Sequence, residues 1–134
     1  YGFRNNDLVH AVTDLNDYLI NIDVTELVII LFHGSRCMFT NEALPILEDM
    51  AVRHKGLSSF LSVDIGNAEL SQSLSLSDYV PIVKTIPTFI LLCHGGLVAE
   101  VAAQNFDQLE DVVLQFEKYC EQQKLQLPGV FGGK

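Results

Sequence analysis

Apolar residues recur at helical spacing between Asp7 and Ile22, through Leu8, Val9, Ala11, Val12, Leu15, Tyr18, Leu19 and Ile22, and predict an amphipathic helix. Leu27 to Phe32 is instead a continuous apolar run rich in β-branched residues, which marks a central strand buried on both faces. His33-Gly34-Ser35-Arg36 interrupts it. Helical period then returns from Cys37 to Lys55 through Ala43, Ile46, Leu47, Met50 and Ala51; Pro45 should kink that helix and Gly56 close it. Phe60 to Ile65 reads as a second core strand. Ala68 to Tyr79 alternates in a way that also fits a strand, but its lack of β-branched residues argues for a helix.

Thr88–Cys93 and Leu97–Ala102 flank His94-Gly95-Gly96, a hairpin signal. The last helix runs from Phe106 to about Gln123, with Asn105 and Gln108 in N-cap and N3 positions. The order α-β-α-β-α-β-β-α predicts one α/β domain over residues 1–124. Residues 125–134, with Pro128 and three glycines, read as a flexible tail.

Composition narrows the function classes. The chain has 134 residues, enough for one domain with a sizeable core. Its net charge of −9 repels phosphate backbones and anionic lipid, so nucleic acid is not an expected partner. The longest apolar run is far too short to span a bilayer, so direct membrane insertion is not expected either. The first residue is Tyr1 rather than Met, which suggests a processed protein or an excised domain.

Cysteines stand at 37, 93 and 120, too few and too far apart for a disulfide framework. Cys93 falls in a core strand and reads as a small hydrophobe. Cys120 lies on the apolar stripe of the last helix, where packing is again the expectation, with pairing between chains as the alternative. No Cys, His and carboxylate cluster has metal-ligand spacing, so no metal is expected. His54 sits at a helix C-terminus, where a cation is favoured, and His94 reads as a turn residue. The serine run over residues 71–77 reads as a solvated helix face.

Three features together are similar to the thioredoxin superfamily: a strand and turn leading to Cys37 at a helix start, Pro45 eight residues on, and Ile86-Pro87-Thr88-Phe89 before a hairpin with Gly96. The resemblance covers roughly Val24 to Cys120. It implies a thioredoxin-like fold, a central mixed sheet flanked by helices, with Pro87 cis beside Cys37. It also implies a client groove around His33, Phe39, Ile86, Pro87 and Thr88, in which the backbone of Ile86 pairs with an extended client.

The departures from the family are consistent with one another. Thr40 replaces the second cysteine of the Cys-x-x-Cys motif, Arg36 its tryptophan, Leu31 the buried aspartate and Phe60 its lysine partner. A lone thiol cannot resolve its own mixed disulfide, so dithiol reductase activity is not expected. Two functional expectations remain. In one, Cys37 is a monothiol whose pKa is lowered by the helix start, by Thr40 and by Arg36. It traps or escorts client proteins, as in Cys-x-x-Ser/Thr members of the disulfide isomerase group, and no cofactor is needed beyond glutathione as an external resolving thiol. In the other, the domain is a redox-inactive interaction module of a larger protein. The first fits the secretory pathway and the second fits the cytoplasm nearly as well.

Overall fold

The apolar run that opens the second third of the chain becomes the centre of a five-stranded sheet. The computed structural model describes residues 8–34 and 40–125. In chain order its elements are β1 (Val9–Ala11), α1 (Leu15–Ile22), β2 (Leu27–His33), α2 (Thr40–Arg53), β3 (Ser58–Asp64), α3 (Ala68–Leu74), β4 (Thr88–Cys93) and β5 (Gly96–Ala102). A short 3₁₀ helix (Ala103–Gln108) then leads into α4 (Leu109–Leu125). The strand order is β1-β3-β2-β4-β5. β1, β3 and β2 are parallel, whereas β4 is antiparallel to β2 and to β5.

Strand alternation sorts β2 between two cores. Leu27, Ile29 and Leu31 face α2 and α4, together with Phe60, Phe89 and Leu91. Val28, Ile30 and Phe32 face α1 and α3, together with Leu61, Val63, Ile90 and Leu92. Both faces are covered by helices, as the continuous apolar run of β2 requires.

Four expectations change. The first predicted helix splits: Val9–Ala11 is an edge strand paired with Phe60–Ser62, and α1 begins only at Leu15. Asp14 is the cap that starts it, its carboxylate accepting from the backbone N–H of Asp17 at 2.8 Å. The helix from Ala68 stops at Leu74, five residues early. There Ser75 turns its hydroxyl back onto the Gln72 carbonyl and Ser77 bonds the N–H of Tyr79, so serine side chains compete with helical hydrogen bonding. Asn105 is not the cap of the last helix but a kink inside the 3₁₀ segment, and α4 starts at Leu109.

The fourth correction concerns the cysteines. Cys93 and Cys120 are not two independent core residues; they form a disulfide with their Cα atoms 5.7 Å apart. α4 crosses the sheet so that its residue 120 lies over the end of β4. A sequence separation of 27 gives no hint of that contact.

His54 also carries more than a helix-end charge. It is 3% exposed, and its two ring nitrogens meet Glu117 at 2.7 Å and Glu110 at 2.8 Å, both on α4. Arg53 adds a 2.8 Å bond to Glu110, and the Ser58 hydroxyl donates to Glu117 at 2.6 Å. Burial alone raises the Glu110 pKa, but the bonds and charges of Arg53 and His54 outweigh it and hold the carboxyl below the usual range. Gly56, with φ +86°, then reverses the chain into β3. Among the described residues no helix is long and apolar enough to cross a membrane.

Candidate functional site

Three pieces of chain meet at one end of the sheet: the C-terminal end of β2, the start of α2 and the loop before β4. β2 ends in His33 and Gly34, and α2 is described from Thr40. Arg36, Cys37 and Phe39 lie outside the described residues. Chain connectivity still keeps Cys37 within three residues of Gly34 on one side and of Thr40 on the other.

The loop before β4 is held by its own side chains. The Ile86–Pro87 peptide is cis. Pro87 is buried, and so is Thr88, whose hydroxyl donates to the Thr85 carbonyl at 2.7 Å and lies 3.3 Å from the Thr85 hydroxyl. Thr88 pairs with Phe32 across the ladder, which fixes the loop beside the end of β2. A Cβ on Gly34 would stand 2.8 Å from Cδ1 of Ile86, so the glycine lets the two segments close up. Ile86 is 36% exposed, an apolar side chain at the surface of this end of the sheet. Thr88, 4% exposed, braces the loop from beneath rather than presenting its side chain at the surface.

His33 stands beside Asp64 in the parallel register of β2 and β3. The ring is half-buried, and among the described residues Nδ1 has no hydrogen-bond partner. Burial lowers the His33 pKa from 6.5, and the Asp64 charge only partly offsets it. The neutral imidazole is therefore the favoured form. Asp64 is the neighbour that sequence reading overlooked. An acid closing an apolar strand was its one visible signal.

A pH dependence of stability follows. The folded pKa of His33 lies below the unfolded one, so its contribution is full above about 6.5 and is lost as pH falls through the lower folded value. The unfolding free energy should therefore decline on acidification from neutral pH. His33→Phe, which fills the space without a proton site, should flatten that part of the profile in denaturant titrations. An unchanged profile would show that His33 is not its source.

The positions where the resemblance implies a buried acid and its lysine are apolar here. Leu31 is fully buried and Phe60 is 3% exposed, both in the core facing α2 and α4. Among the described residues, the buried polar or charged side chains are His54, Ser62 and Thr88. None is a carboxylic acid. On the α1–α3 side, Val80, Pro81 and Ile82 join Phe32, Ile65 and Leu74 around an open cleft of about 570 Å³. Leu76, Tyr79 and Ile82 are exposed along the same stretch.

No protein-family model matches the chain, and no curated protein sequence matches it. Solved structures do. Thioredoxin f from spinach chloroplast aligns with a TM-score of 0.68 at 20% identity, over 82% of this chain and 86% of that one. A thioredoxin variant from Halobacterium salinarum aligns at 0.67 and 20%, over 84% and 93%. Oxidised mitochondrial thioredoxin 3 from Saccharomyces cerevisiae aligns at 0.65 and 20%, over 80% and 94%. Likeness at these identities concerns the backbone, and with the sheet order and helix layers above it establishes that this chain adopts the thioredoxin fold.

Proposed function

We propose that this domain captures client proteins through Cys37 as a single thiol, without dithiol turnover. The observation that carries the reading is the division of the cysteines. The disulfide pairs Cys93 with Cys120 at the far end of β4, so Cys37 is the remaining cysteine of the sequence, three positions after Gly34. A cysteine at a helix start is activated by unpaired N–H groups and the positive end of the helix dipole. Arg36 adds positive charge, and Thr40 supplies a hydroxyl three positions on.

The Cys37 thiolate attacks one sulfur of a client disulfide, forms a Cys37–client bond and expels the other client sulfur as a thiolate. Thr40 offers no second thiol to displace the client. The apolar Leu31 and Phe60 offer no acid–base pair to assist such a step. Release therefore waits for an external thiol such as glutathione, and the adduct is long-lived. Clients dock along Ile86 at the end of the sheet that carries His33 and Gly34; Phe39 is carried over from the resemblance as a further client-binding residue. The Cys93–Cys120 disulfide supports an oxidising compartment.

The same apolar replacements favour the second reading, a binding module without sulfur chemistry. Client trapping separates the two. Incubated with disulfide-containing proteins, the chain should give adducts on non-reducing gels that Cys37→Ser abolishes. Retained binding with no adduct from either form favours the module.

A further inference from the structure

At the opposite end of β4 from the Ile86-Pro87 loop, about 17 Å along the strand, a second cluster of chemistry-bearing groups comes together. Cys93 ends β4, His94 follows it in the hairpin turn, and Cys120 projects from α4. One ligand atom from each, two sulfurs and an imidazole nitrogen, all lie within 4.8 Å of one another. The sulfurs are buried and His94 is exposed. Sγ of Cys120 lies 3.6 Å from the Thr25 carbonyl. Thr25 and His94, with Asp23 and Tyr79, also line an open cleft of about 530 Å³. The cluster thus has a protein-packed side and a side facing water.

Two cysteines and a histidine around one point, with an open fourth direction, form the donor set of a Cys₂His zinc centre. Disulfide sulfurs carry no negative charge and are poor ligands, so the oxidised cluster lacks this capacity. We propose that, once reduced, Cys93, His94 and Cys120 bind one thiophilic divalent cation such as Zn²⁺, with water from the cleft in the fourth position. Disulfide and metal are then mutually exclusive states of one site. An external dithiol supplies the two electrons and two protons that convert the disulfide to two thiols, itself becoming a disulfide. The cation then displaces both thiol protons, and two protons leave per metal bound. The ligand spacing, adjacent residues plus one 27 positions away, matches no metal motif; the packing of α4 on β4 brings the set together.

The test uses the full chain carrying Cys37→Ser, so that thiolate signals come only from this cluster. The protein is reduced, freed of reductant without air, and titrated with Co²⁺. The expected result is one equivalent bound, with thiolate-to-cobalt charge-transfer bands and tetrahedral visible bands, displaced by one equivalent of Zn²⁺. The disulfide form should show none of these. His94→Asn keeps a residue suited to the positive φ of 53° and should weaken binding at least about tenfold. Should reduction loosen the fold, restoration of near-ultraviolet dichroism by one equivalent of Zn²⁺ counts for the proposal. Reduced protein without charge-transfer bands, or His94→Asn with unchanged affinity, overturns it. Cys37 takes no part in this measurement, so its failure leaves the capture reading untouched.

Discussion

Removal of the Cys93–Cys120 disulfide is expected to lower the unfolding free energy by about 3 to 4 kcal/mol. The two cysteines are 27 positions apart, so the cross-link closes a medium-sized loop in the unfolded chain and cuts its conformational entropy. In the folded state it ties α4 to the end of β4 remote from the Ile86–Pro87 loop. For a chain of this length the loss corresponds to a fall of roughly 10 °C in Tm. Urea unfolding of the oxidised protein, of the reduced protein with a chelator present, and of the Cys93→Ala, Cys120→Ala double variant checks it. The two forms lacking the bond should unfold at clearly lower urea. Midpoints equal to that of the oxidised protein would mean that the bond adds no stability.

His54→Ala should cost about 3 kcal/mol. The ring is 3% exposed and lies between two α4 carboxylates, with Glu117 only 12% exposed. Ionised carboxylates only accept, so the imidazole is their donor, and both contacts are hydrogen bonds at once only when each ring nitrogen carries a proton. Its loss strands Glu117 with the Ser58 hydroxyl alone and leaves Glu110 with Arg53. A carboxylate left without its partner at only 12% exposure costs more than the pair it came from was worth. The cavity beside Phe60, whose ring centroid is 6.4 Å from that of His54, adds to the loss. The stability that Glu110 contributes through its lowered pKa is full above the unfolded carboxylate value of about 4.3, and is lost as pH falls through the folded value. Denaturant unfolding of His54→Ala at neutral pH is the check. A loss below about 1 kcal/mol would show the cluster to be a solvated surface feature after all.

What the sequence made legible followed physical strength of signal. The unbroken run Leu27–Phe32 could be little other than a doubly covered strand, and Gly56 and His94-Gly95-Gly96 mark turns that need positive φ. Val9–Ala11 was misread because a three-residue edge strand followed by a helix leaves nearly the same apolar spacing as one longer helix. The shortened α3 reflects serines whose hydroxyls offer the backbone an alternative partner. The remaining misses are contacts between distant segments: Cys93 with Cys120, His54 with Glu110 and Glu117, His33 with Asp64. Each depends on how helices lie on the sheet or how strands register, and no local spacing encodes it. At the candidate site, Ile86, Pro87 and Thr88 come beside the end of β2, but Thr88 supports the loop while Ile86 meets solvent.

The capture reading rests on the acidity of one sulfur. In the oxidised protein Cys93 and Cys120 are paired, so a small alkylating reagent titrates Cys37 alone. Its alkylation rate, followed across pH, should give a thiol pKa well below the unperturbed value of about 8.5. A pKa at or above that value, or a thiol that does not react in the folded protein but does after unfolding, would contradict capture by Cys37.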